Sequence, residues 1–113
     1  MAASAISLLV IGMTASASIA QYQAVQASGT PATAGGNAAG FATMAATSGA
    51  RVPVAAVGTA IAVAGAAIAV GAAVEVGTTV TQVVTRATGI VIGRALTAAA
   101  NAGDLIEVLV IGN

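Results

Sequence analysis

No charged residue occurs in the first 50 positions, and only six occur in all 113: Arg51, Arg86, Arg94, Glu75, Asp104 and Glu107. Six charges cannot give a lone folded chain of this length an ordinary polar surface. The apolar residues are also a poor stock for a large core, because 32 Ala, 15 Val and 14 Gly make up more than half of the chain. An alanine returns less than the roughly 1.5–3 kcal/mol of a fully buried large side chain. Ordering the backbone costs on the order of 1–2 kcal/mol per residue whatever the side chain. Both facts lead to the same expectation: much of the apolar surface is buried against something else, whether a bilayer, further copies of the chain, or a large partner.

The same inventory removes whole classes of chemistry. Cys and His are absent, so there is no disulfide framework, zinc site of the usual kind, thiol nucleophile or His general base. Three Arg balanced by three acids argue against a nucleic-acid footprint. Asp104 and Glu107 fall on opposite faces of any strand through them and could not act on one bond. The glycines at Gly35-Gly36 and Gly89 lack the Lys and the spacing of a phosphate loop. The expectation is a protein without catalysis, cofactor, metal or small-molecule substrate.

A membrane reading must be weighed against this. Residues 6–13 form an apolar block, and Ser18-Ile19-Ala20 follows, as in the apolar region and cleavage site of a signal peptide; the basic residues that should precede such a block are missing. Residues 52–74 run without a charge, long enough to span a bilayer as a helix. That stretch holds Pro53, Gly58, Gly65 and Gly71, and its larger residues alternate (Ile61, Val63; Ile68, Val70), which is the period of a strand. A secreted or membrane-inserted protein with a signal at 1–20 and a span at 52–74 is therefore the alternative, not the main reading.

The pattern along the chain is that of short strands and glycine turns. Residues 4–11 read as a strand or extended arm and 19–26 as a half-exposed strand. Residues 27–40 read as a loop, and 41–47 is ambiguous. Pro53 places the extended run 52–54 at a strand start or edge. Strands are expected at 60–64, 67–70, 73–76, 78–85 and 90–92. The twin Ala-Ile-Ala-Val runs at 60–63 and 67–70 suggest a tandem hairpin. Residues 94–100 have helix propensity through their alanines but are too short to stand alone. Residues 104–111 are apolar on both faces, with Leu105, Glu107, Leu109 and Ile111 on one and Ile106, Val108 and Val110 on the other. Such a strand is central, or has one face in the core and one in a subunit contact. The expected fold is all-β: one domain, a small sandwich or barrel of short strands with little or no helix. Residues 1–50 would supply an N-terminal strand or arm and a Gly/Ala/Ser-rich loop, and residues 51–113 the β-rich core.

Two runs in the second half carry a resemblance. They are Gly65-Ala66-Ala67-Ile68-Ala69-Val70-Gly71-Ala72-Ala73-Val74 and Thr88-Gly89-Ile90-Val91-Ile92-Gly93-Arg94-Ala95-Leu96, the second followed by an alanine-rich link and Gly103-Asp104-Leu105-Ile106-Glu107-Val108-Leu109. In order and spacing they resemble the capsid cement, or head decoration, proteins of tailed phages, over roughly residues 52–111. The resemblance implies a non-catalytic β protein on the outer surface of the virion head. It would commonly be a homotrimer, bound to the major capsid protein and bridging capsomers, with no nucleic-acid or membrane partner.

Candidate contact residues follow from composition and position. Ile6, Leu8, Leu9 and Ile11 form either a core strand or an arm on a partner. Tyr22 and Phe41, the only aromatics, either anchor an interface or fill the largest holes in an alanine core. Glu107, inside an apolar strand, needs a partner if it is buried. Arg86 and Arg94 are its nearest candidates in sequence; Arg94 is either a solvated strand-end charge or pairs with Asp104 or Glu107, across the last two strands or across a subunit contact.

Overall fold

A computed structural model describes residues 5–111. These residues contain eight strands and no helix: β1 (Ser7–Thr14), β2 (Ala24–Val25), β3 (Gly40–Ala42), β4 (Arg51–Val63), β5 (Ala73–Val76), β6 (Val83–Thr85), β7 (Gly93–Ala95) and β8 (Leu105–Val110). All strand pairs are antiparallel, in the order β2-β3-β4-β8-β7-β5-β6, with β1 added to β4. The all-β class expected from glycine turns and period-two runs is the class observed. The sheet curls until β6 returns to the end of β4, where Ala64 bridges Val83 and the Gly65 N–H donates to the Val83 carbonyl at 2.8 Å.

β4 organises this sheet. Its first half is paired on both edges: Val54 faces Ile11 of β1 and Ala42 of β3, and Ala55 faces Val10 and Phe41. Its second half pairs with β8. Between the halves the register to β1 slips, because Leu9 faces Val57 while Val10 faces Ala55. A bulge of this kind turns the strand and switches which side chains face which side. Gly58 follows at φ 98°, and a Cβ there would strike the Ile6 carbonyl. No other residue suits both the left-handed backbone and the close passage of the β1 end.

Two cores result. Val52 and Val54 face one side and pack with Ala15, Ile19, Val25 and Ala42. Ala55, Ala60, Ala62 and Ala64 belong to the other core, with Phe41, Val74, Val76, Ile92, Ile106 and Val108. The alanine row on β4 lies directly across from the larger β8 residues, Ala60 against Val108 and Ala62 against Ile106. Small against large is how a chain this poor in bulky side chains fills a layer without voids.

Several sequence expectations are corrected here. The runs 52–54 and 60–64 are one strand; Pro53 is its third residue, at the strand start as expected, but in the half flanked on both sides. Its missing N–H does no harm: β3 ends one residue earlier, the Pro53 carbonyl still accepts the Thr43 N–H at 3.0 Å, and the Thr43 carbonyl takes the Gln21 side-chain amide at 3.3 Å. Residues 67–70 form no strand and no hairpin with 60–63; Ile68 makes a single bridge to Ala99. In 78–85 only β6 is regular, in 19–26 only β2, and β2 is buried instead of half-exposed. The strand expected at 90–92 forms at β7 instead, which also displaces the helical tendency of 94–100. The span read as a membrane candidate is β4, turns and the start of β5, and no helix among the described residues is long and apolar enough to cross a membrane.

Phe41 is the largest fully buried side chain, at 1% exposure. Phe41→Ala should cost about 3–5 kcal/mol, read as a lower denaturant midpoint, because alanine neighbours cannot collapse into the hole.

Candidate docking surfaces

β1 has almost no buried side chain. Ile6 just before it is 65% exposed and Leu8 74%, and Leu9, Val10 and Ile11 are also exposed, as is Val57 opposite Leu9. Both faces of the strand are open, because neither core extends beneath it. Val10 shares the face of Ala55 and Phe41, while Ile11 and Met13 share that of Val54 and Val52. Only Met13 is partly covered, against the smaller core. An apolar ridge of this kind is the mark of a surface that another molecule covers.

The outer edge of β1 is guarded at one end. The Pro53 carbonyl is spent on Thr43, so Gly12 opposite it turns its own N–H and C=O away from β4. The Arg51 guanidinium lies over Gly12, and its Nη2 donates to that outward carbonyl at 3.2 Å. A charge set across an open edge is a standard obstacle to unwanted strand addition.

A second apolar face lies on the outside of β4, β8 and β7. Ile106 and Val108 of β8 are buried, which turns Leu105, Glu107 and Leu109 outward. Ile61 pairs with Glu107, Val63 with Leu105 and Arg94 with Leu109, and the Leu96 N–H donates to the Glu107 carbonyl at 2.8 Å. Neither Arg86 nor Arg94 pairs with Glu107 within the chain: its carboxylate makes no hydrogen bond or ion pair among the described residues. Arg94 Nη1 instead donates to the Gly71 carbonyl at 2.9 Å, and Arg86 Nε to the Gly89 carbonyl at 2.9 Å. All three arginines therefore hold glycine carbonyls.

The aromatic pair separates. Phe41 belongs to the core, whereas Tyr22 is half-buried at a turn with φ 68°, held by its N–H on the Ala42 carbonyl at 2.8 Å. Left-handed backbone is uncommon outside glycine. Tyr22 stands at a pocket of about 220 Å³ that also touches Ala5, Ser7, Phe41 and Ile61, beside the start of β1.

Sequence reasoning passed over Glu75, which is 8% exposed. Its Oε1 accepts the Ala87 N–H, and a Cβ at Gly89 would collide with Oε2 and with the Cα of Gly35. The carboxylate thus pins residues 86–89 beside Gly35, whose own N–H and C=O bond Val76 and Ile90. The Ala87 N–H is the main cause that holds the Glu75 carboxyl below its ordinary value of 4.5. Burial opposes this, and the N–H groups of Gly89 and Thr88 and the Arg86 charge add to it. An isolated Glu among valines was the available signal, since a charge on a buried strand face needs compensation.

The described residues form a small all-β fold that leaves apolar strand faces exposed. Residues 6–110 match the family described as phage cement protein. The chain belongs to that family: it is a capsid cement protein, which binds capsid proteins at the outer surface of a phage head. Among solved structures it is similar to the head fiber gp8.5 N base of bacteriophage phi29, with 18% identity and a TM-score of 0.72 over 91% of this chain and 93% of that one, a likeness of fold. No curated protein sequence matches it. The family match begins at residue 6 and β1 pairs along β4, so the apolar block read as a possible signal is part of the folded unit.

Glu75 generates a pH prediction. A carboxyl with a lowered folded pKa contributes stability that is complete above 4.5 and is lost as the pH falls through the lower folded value. The Tm of the unaltered protein should fall as the pH is lowered past 4.5 towards the depressed folded value. Glu75→Gln should start lower at neutral pH and show a flatter acid limb, so that the two curves converge. Parallel curves in differential scanning calorimetry would count against this role.

Proposed function

We propose that this cement protein attaches to the shell through β1, acts as a homotrimer, and bridges neighbouring capsomers by contact with the major capsid protein. The observation that carries the reading is the apolar ridge of Ile6, Leu8, Leu9 and Ile11, which is exposed although it belongs to an ordered, paired strand. A free-standing protein gains nothing from leaving those side chains in water. Tyr22 extends the ridge at the neighbouring pocket. Arg51 hinders strand addition at the β1 edge, which favours docking by faces over open-ended edge pairing.

The role is mechanical and non-catalytic. Apolar burial is non-directional and tolerates a repeated lattice, and a trimer multiplies contacts that are individually weak. Phe41, sealed in the core, acts by supporting the sheet from beneath. Arg86 and Arg94 act by fixing the loops at Gly89 and Gly71.

Leu8→Asp, alone and with Leu9→Asp, should abolish co-sedimentation with undecorated shells and change Tm little, because within the chain Leu8 is 74% and Leu9 49% exposed. Shell occupancy of the unaltered protein should vary little between about 50 and 500 mM salt, since few charges are available for screening to act on. A steep fall would point to an electrostatic contact instead. Sedimentation equilibrium of the free protein should give the mass of three chains.

A further inference from the structure

Of the three carboxylates, two are consumed by backbone. Glu75 receives the Ala87 N–H, and Asp104 Oδ2 receives those of Ala100 at 2.9 Å and Asn101 at 3.0 Å. Glu107 alone has no partner for its carboxylate among the described residues. It is half-buried in the middle of β8, between the outward Leu105 and Leu109, across from Ile61 and next to Leu96. Its own backbone is fixed, with the N–H on Thr97 Oγ1 at 3.0 Å and the carbonyl on the Leu96 N–H. The backbone thus places an unpartnered carboxylate within a largely apolar face that Arg94, the ladder partner of Leu109, borders.

We propose that this outer face of β4, β8 and β7 is a second docking site, and that it takes a shell polypeptide presenting a Lys or Arg inside an apolar rim, with the cation on Glu107. The inference rests on the shell-binding reading above and extends it to a separate face with a stated chemistry. Covering Leu96, Leu105, Leu109 and Ile61 also strips water from Glu107. A buried carboxylate without a partner is strongly unfavourable, so a purely apolar partner does not fit. A second copy of this chain is poorly placed to supply the cation. Its arginine side chains, Arg51, Arg86 and Arg94, are each tethered to a glycine carbonyl of their own chain, so although N–H groups remain free on each, a neighbour's Glu107 would have to come to the tether. The face also continues from the β1 ridge: the Ile6 N–H donates to Thr59 Oγ1 at 2.7 Å, and Thr59 is the ladder partner of Leu109. One partner could cover both.

The test compares the full chain with Glu107→Gln, Glu107→Lys and Leu105→Ser for binding to undecorated shells of the same phage, with Tm and sedimentation mass of the free protein measured in parallel. The expected result is that Glu107→Gln weakens shell binding about tenfold, Glu107→Lys more, and Leu105→Ser measurably, all with unchanged Tm and mass. If Glu107→Lys lowers Tm, the Gln and Ser variants decide. Shell binding unaffected by all of them, while Leu8→Asp abolishes it, would overturn this inference and leave the β1 reading standing. Loss of the free oligomer in the Glu107 variants would also overturn it, because the face would then join copies of this chain. Failure of the unaltered protein to bind shells would overturn both readings.

Discussion

Everything in this fold hangs on one 13-residue strand. β4 is paired on both edges in its first half and joins β8 in its second. The bulge between the halves lets one continuous backbone serve two cores on opposite faces. Val52 and Val54 face one core, and Ala55 and the Ala60, Ala62, Ala64 row the other. In a chain whose apolar stock is mostly alanine and valine, neither half could gather enough buried area by itself. Sharing a strand makes them one cooperative unit.

The few charges act on this frame as fasteners. Arg51, Arg86 and Arg94 bond the carbonyls of Gly12, Gly89 and Gly71; Glu75 and Asp104 bond loop amides. Glycine-rich segments lose much conformational entropy on folding, and charge-assisted hydrogen bonds are the stronger kind available to offset it. Exposed ion pairs would contribute little, about 0–1 kcal/mol each. Spending the charges on backbone orders loops beside the curled sheet and the outer edge of β1. It also leaves the surface nearly neutral, which suits a protein whose surroundings are other protein faces.

This arrangement separates support from contact. The inner residues of each strand close the cores, and the outer ones, above all on β1 and on the outside of β8, stay apolar and uncovered. A soluble monomer would have placed Lys and Glu at such positions. Apart from Glu107 such charges are absent there, which suits a member of the phage cement family, whose partners are capsid proteins. Contacts that rest on area, with the sheet already ordered, avoid most of the entropy cost of folding upon binding.

The class of the fold was legible in the chain itself. Glycine turns and alternating Val and Ile runs specify short strands through local sterics, and β8 was readable residue by residue because its two apolar faces differ only by Glu107. The second-half motifs carried the family. The first half was harder, since an apolar run such as residues 6–13 looks the same as core strand, arm or leader. Only the placement of β1 beyond the reach of either core makes its leucines exposed. The partner of each charge was equally hidden. Arg94 and Glu107 sit on neighbouring strands, yet Arg94 turns to Gly71, and Glu75, far from Ala87 in any local pattern, meets it through the β5–β6 fold-back. Composition determined that apolar surface would be left over, and the alternating pattern with its glycine turns that the chain would form short strands. Which surface was left over was decided by tertiary structure, because burial depends on how strands from distant parts of the chain stack and not on the residues of any one of them.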